Sequence, residues 1–162
     1  MMEVIKVGIA DSKVASNSEI LRTAGLGSCV GVTLYDRSKK VGGMVHIMLP
    51  ESPENKEFKK AKYADTGIAE LIEIMEKKGA NKSKLEAKMA GGAQMFSFQG
   101  KEKSELLKIG ERNAKACEDV LKKENIRIVA KDTGGTQGRT IELYCKTGKL
   151  LIKTIKEGVK EV

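Results

Sequence analysis

The sequence predicts an α/β protein of the α+β type, with a layered, mixed and largely antiparallel sheet and helices packed on it. Three observations carry that expectation. Short segments rich in valine and isoleucine, parted by Gly, Ser, Asn or Asp, fill the first fifty residues. Two stretches of helical periodicity come later, and further strand-like segments follow each of them. The order strands, helix, strand, helix, strands lacks the regular alternation of a parallel, doubly wound fold. At 162 residues, with no repeat, low-complexity tract or linker, residues 1–162 read as a single domain with a sizeable core.

The expected elements run in order. "EVIKVGIADSKVA" (3–15), "EILRTAG" (19–25), "CVGVTLYD" (29–36) and "KVGGMVHIML" (40–49) read as strands. After Pro50 and a polar stretch, "DTGIAELIEIMEKKG" fits a helix: Asp65 is placed to cap it, Ile68, Leu71, Ile72 and Met75 share a face, and Gly79 ends it. "KLEAKMAGGA" is a strand. "ERNAKACEDVLKKEN" is a second helix, burying Ala114, Cys117, Val120 and Leu121, and "IRIVAKD", "RTIELYC" and "LLIKTIK" are closing strands.

Composition excludes several classes of function. No apolar run reaches the length of a membrane span, and the N-terminus, acidic by its third residue, does not read as a signal peptide, so the chain is expected to be cytosolic with no membrane insertion. Three cysteines, an odd number, at spacings of 88 and 28 fit neither a disulfide framework nor a CxxC metal site. Thirty basic against 22 acidic residues give a net charge of +8, which favours encounter with an acidic partner. The basic residues are scattered among glutamates, and only three tyrosines, three phenylalanines and no tryptophan are present, a poor endowment for stacking on nucleic acid.

The candidate chemistry centres on "TAGLGSCVGVTLYD". Gly25 and Gly27 permit a sharp loop-to-strand turn that presents Cys29, and the N–H groups of Gly27, Ser28 or Cys29 can converge on a developing oxyanion. Spacing equally allows a buried thiol at a strand edge. The chain has one histidine, His46, and a hairpin through "DRSKK" brings its strand back beside Cys29. A core histidine bonded to backbone fits the same spacing. Cys117 and Cys145 read as small buried hydrophobes. "GGAQMFSFQG", with Met95, Phe96 and Phe98, reads as core or as an apolar contact patch, and "DTGGTQGR" as a hairpin turn or a border of the site.

Taken together, "TAGLGSCVGVTLYD", "GGMVHIMLP", "KYADTGIAELIEIMEKKGA", "LEAKMAGGAQMF", "IGERNAKACEDVLKKENIRI" and "DTGGTQGRTIELYCKTGKLLIK" resemble the CheD family of chemoreceptor glutamine deamidases, in order and over nearly the whole chain. The resemblance implies a fold similar to the catalytic domain of cytotoxic necrotizing factor toxins. It also implies conversion of receptor glutamines to glutamates, with Cys29 of "LGSC" as nucleophile, His46 of "HIMLP" as general acid/base and Thr23 of "RTAGLGSC" orienting the imidazole. Thiol chemistry then suggests a resting thiolate beside a protonated histidine. Some esterase action on methylated glutamates is implied as well, and no metal or organic cofactor is required. The implied partners are the helical cytoplasmic part of chemoreceptors and the chemotaxis phosphatase CheC. Acting mainly as a non-catalytic regulator of that phosphatase is the competing function.

Overall fold

The computed structural model describes residues 2–54, 56–95 and 108–162. Among them the chain forms strands β1 (Val4–Lys6), β2 (Ser12–Ser16), β3 (Ile20–Leu26), β4 (Val30–Asp36) and β5 (Val41–Ile47), helix α1 (Ala64–Lys77), strand β6 (Leu85–Gly91), helix α2 (Ile109–Lys123), and strands β7 (Arg127–Thr133), β8 (Arg139–Tyr144), β9 (Leu150–Thr154) and β10 (Gly158–Glu161). The expected α+β class and the order of elements hold. None of the described helices is long and apolar enough to cross a membrane.

The strands divide between two five-stranded mixed sheets, ordered β1-β3-β8-β9-β10 and β2-β5-β4-β6-β7. Only β1–β3 and β6–β7 pair in parallel; the other neighbours are antiparallel. Two hydrophobic clusters build three layers. One joins Val32, Leu34, Val45 and Ile47 of the second sheet to Ile68, Leu71 and Met75 of α1 and Cys117 and Leu121 of α2. The other joins Met44 and Ala90 of that sheet to Leu21, Leu26, Ile141, Leu143 and Ile152 of the first. β4 and β5 are therefore buried on both faces along their whole length. This explains their nearly continuous apolar sequence.

Several elements differ from the sequence expectation. The segment 3–15 is not one strand: it turns between Val7 and Asp11, with Ala10 at φ 57°, and sends β1 and β2 to different sheets. Tyr63, not Asp65, occupies the N-cap position of α1, with no capping bond from its side chain. Asp65 sits in the first turn, where it accepts hydrogen bonds from the Ser52 N–H at 3.1 Å and hydroxyl at 2.8 Å and so holds the preceding loop. β10 was not expected, because "GVKE" is exposed at every position and carries no apolar pattern. "DTGGTQGR" is not a hairpin turn, since it crosses from β7 in one sheet to β8 in the other.

Candidate active site

Alternation along β4 and β5 decides which side chains meet. Val30, Val32 and Leu34 face the helices. The intervening positions, Cys29 and Gly31 among them, face the first sheet, and the half-buried Cys29 packs against the inter-sheet cluster. On β5, Val45 and Ile47 face the helices, so His46, like Met44, points between the sheets. The ladder sets Gly31 directly opposite His46. Cys29, one residue before the first ladder pair, packs against the inter-sheet cluster and so lies on the side of the sheet towards which His46 points. The hairpin expected from the sequence is present, and no hydrogen bond joins the thiol to His46 Nε2 among the described residues.

Glycine at position 31 has a packing reason. A Cβ there would lie 2.6 Å from Ile141 Cδ1 and 3.1 Å from Leu26 Cδ1. The absent side chain lets the two sheets close over His46, and spacing alone offered no sign of it.

His46 is held by backbone and ring. Its N–H donates to the Asp11 carbonyl at 3.0 Å, and its carbonyl accepts the Ala10 N–H at 3.1 Å. From the other sheet, Thr23 brings Oγ1 to 2.8 Å from His46 Nδ1 and 2.8 Å from the carbonyl oxygen of Val7. A hydroxyl has one proton, and Val7 can only accept it. The ring must therefore donate from Nδ1, which leaves an unprotonated lone pair on Nε2. That atom is buried and has no hydrogen-bond partner among the described residues. The alternative of a core histidine bonded to backbone through its ring does not describe this arrangement.

Burial decides the charge state. It pushes the His46 pKa down to about 4 and raises that of the Cys29 thiol, an effect partly opposed by the cysteine's own backbone N–H. Both shifts run against the resting thiolate and imidazolium expected from the sequence, because each charge would be desolvated. Cys117 and Cys145 are fully buried, and burial pushes the Cys145 thiol up to about 11 and the Cys117 thiol further still.

The loop before Cys29 is fixed by its carbonyls. Gly27, Ser28 and Cys29 accept from Ala93 N–H (2.8 Å), Asn113 Nδ2 (2.9 Å) and Gly92 N–H (2.9 Å) respectively. The Gly27 N–H, considered from the sequence as an oxyanion donor, donates to the Gly25 carbonyl at 3.0 Å. The N–H groups of Ser28 and Cys29 take no part in these loop bonds among the described residues. Gly25 adopts φ 73°, while Gly27 accommodates Met95, whose Cγ would stand 2.9 Å from a Cβ at that position.

Met95 also edges a cleft of 660 Å³ lined by Gly25, Gln137, Gly138, Ile155 and Lys156. Phe96 and Phe98 lie outside the described residues. A second cleft of 390 Å³ runs beside Thr23, between Lys6–Ile9 and Arg22–Ala24. Cys29 and His46 line neither cleft. "DTGGTQGR" is tied to the segment that holds the cysteine loop, since Gly134 N–H donates to the Gly91 carbonyl and Gln94 N–H to that of Gly135. Buried Arg139 adds bonds to the carbonyls of Gly91 at 3.2 Å and Gly134 at 3.0 Å.

The family model described as CheD chemotactic sensory transduction matches residues 48–154, beginning just after Thr23, Cys29 and His46. A probable chemoreceptor glutamine deamidase CheD of Caldanaerobacter subterraneus subsp. tengcongensis is 55% identical over 161 residues, covering 99% of this chain and 98% of that protein. The chemoreceptor glutamine deamidases CheD of Halalkalibacterium halodurans (51%, all of both chains) and Bacillus subtilis (48%, 98% of this chain and 96% of that one) are also similar. In fold, the chain is similar to Neisseria meningitidis protein NMB0706, of the DUF152 family, with a TM-score of 0.52 at 12% identity over 83% of this chain and 64% of the other. With a family-model match over most of its length and full-length relatives near 50% identity, the chain belongs to the CheD family of chemotactic sensory transduction proteins.

Proposed function

We propose that the protein deamidates glutamine side chains on the cytoplasmic helices of chemoreceptors, through a thioester on Cys29. The observation that carries the proposal is the Thr23–His46 contact across the sheets. It leaves a buried, unprotonated Nε2 on the face from which Cys29 projects.

His46 Nε2 takes the Cys29 proton as the sulfur attacks the amide carbon, forming the C–S bond and an oxyanion. The N–H groups of Ser28 and Cys29, which take no part in the loop's backbone hydrogen bonds among the described residues, are the donors assigned to that oxygen. The imidazolium, its Nδ1 still bonded to Thr23, passes its proton to the amide nitrogen. The C–N bond breaks and ammonia leaves. Water, losing a proton to the again neutral His46, hydrolyses the thioester to a carboxylate and returns the thiol. A methyl ester can follow the same route, with methanol as the leaving group. A net charge of +8 supports docking on acidic helices.

Binding of the chemotaxis phosphatase CheC is a companion proposal. The exposed Met95 and Ile155 at the edges of the 660 Å³ cleft support a protein-contacting surface there. Incubation with a receptor cytoplasmic fragment, followed by mass-spectrometric mapping of amide-to-acid changes, tests the activity. Site-specific conversion with ammonia release is expected, and its absence from Cys29→Ala. Full deamidation by that variant would sink the assignment of the nucleophile, whereas loss of deamidation with intact phosphatase binding separates the two functions.

A further inference from the structure

We propose that Asn113 of α2 is a positioning residue that sets the register between Cys29 and His46. This rests on the deamidase reading above. Its side chain is completely buried, and both protons of its amide nitrogen are committed: one to the Ser28 carbonyl at 2.9 Å, the other to the Met48 carbonyl at 2.9 Å. One group thus ties the residue before the thiol to the residue two beyond the imidazole.

The β4–β5 ladder cannot do this itself. Its last pair is Val30 with Ile47, and the next hydrogen-bonded rung in the same register would join Ser28 to Leu49. That rung is absent: Leu49 gives its N–H to the Lys62 carbonyl at 3.0 Å, and its carbonyl accepts the Ala64 N–H at 3.0 Å. The chain after His46 leaves β4 at the point where the cysteine loop joins it, and Asn113 bridges the opening. The Asn113 Oδ1 is buried with no partner among the described residues. Such an atom is unfavourable in a purely structural asparagine, yet it follows once both amide protons must point at the two carbonyls. Buried as it is, Asn113 touches no substrate and acts through the placement of Cys29.

The test uses the full chain with Asn113→Leu, an apolar near-isostere, and Asn113→Ser, which keeps one donor. Lys115→Ala on the exposed face of the same helix is the control. Deamidation of a receptor cytoplasmic fragment is measured well below the melting temperature. In parallel, iodoacetamide labelling of each cysteine is followed, with fully buried Cys117 and Cys145 reporting global unfolding.

We expect Asn113→Leu to lose about 10- to 100-fold in kcat, as a misplacement of roughly 1 Å does, with KM within twofold. Asn113→Ser should lie between it and the parent. Cys29 labelling should rise severalfold as the loosened loop hydrates the thiol, while Cys117 stays protected. A kcat within twofold of the parent, or unchanged Cys29 labelling, overturns the proposal. Exposure of Cys117 in both variants also overturns it and leaves Asn113 a purely structural residue. Absence of deamidation by the parent protein would refute the functional reading, and the Cys29 labelling comparison would then decide the clamp alone.

Discussion

Thr23 Oγ1 and His46 Nδ1 meet at 2.8 Å across the gap between the two sheets, and the same hydroxyl reaches the Val7 carbonyl at 2.8 Å. The pair fixes one imidazole tautomer without a carboxylate. A neutral partner does not raise the basicity of the ring as an aspartate would, in keeping with a His46 held down to about pKa 4 by burial.

Removing the hydroxyl should therefore free the tautomer and strand a buried N–H. Thr23→Val is expected to lower kcat for ammonia release about 100-fold, within the range of lost acid–base assistance, and to reduce stability by about 1–3 kcal/mol. Thr23→Ser, which keeps the hydroxyl that accepts from Nδ1 and donates to the Val7 carbonyl, should stay near the parent. Steady-state kinetics with both variants, together with urea denaturation, measures the two effects.

The depressed His46 pKa predicts a stability profile. The unfolded imidazole titrates near 6.5 and the folded one at about 4, so between these values the unfolded chain binds the extra proton. The neutral-form contribution is complete above pH 6.5 and is lost as pH falls towards 4, with a slope of up to about 1.4 kcal/mol per pH unit from this group. His46→Gln should flatten the profile in that window relative to the parent. Parallel urea titrations from pH 7 to 4 read the difference, and identical slopes would contradict it.

Labelling of Cys29 separates a neutral resting pair from an ion pair. A thiol raised by burial should react with iodoacetamide along one rising limb centred above the ordinary cysteine pKa, with no plateau at pH 5 to 7. An imidazolium-stabilised thiolate would give that plateau. The pH dependence of Cys29 labelling, followed by peptide mass, distinguishes the two.

Two glycines near the cysteine should respond differently to alanine. At Gly31 the new methyl would press on Ile141 and Leu26 between packed sheets, at a cost of about 1–3 kcal/mol. At Gly27 it would press on Met95, which is 45% exposed and free to swing aside. Gly27→Ala should stay within about 1 kcal/mol of the parent. It should also keep its kcat, because the Gly27 N–H is already engaged. Chemical denaturation and ammonia release report on both variants.

Much of the fold was legible because its signals are local. The apolar runs of β4 and β5, the apolar stripes of α1 and α2 and the turn at Gly79 follow from side-chain period and backbone preference within a few residues. The pairing of His46 with the cysteine strand was legible for the same reason, since a short hairpin sets its own register. β10 was missed because an edge strand exposed at every position shows no pattern. Asp65 was misplaced as a cap because its partner, Ser52, is remote in sequence.

The sequence alone determined that Cys29 and His46 share a hairpin, with Cys29 presented by a glycine-bearing turn. What only the tertiary structure decided is everything that crosses between layers. Thr23 reaches His46 from the other sheet, and Gly31 lets those sheets approach. Asn113 spans from the helical layer to the loop and strand that the ladder leaves unjoined, while burial raises the thiol pKa and lowers that of the imidazole. Hydrogen bonds and desolvation act over a few ångströms in space, between residues 16 to 85 positions apart in these contacts, and no periodicity along the chain encodes such neighbours.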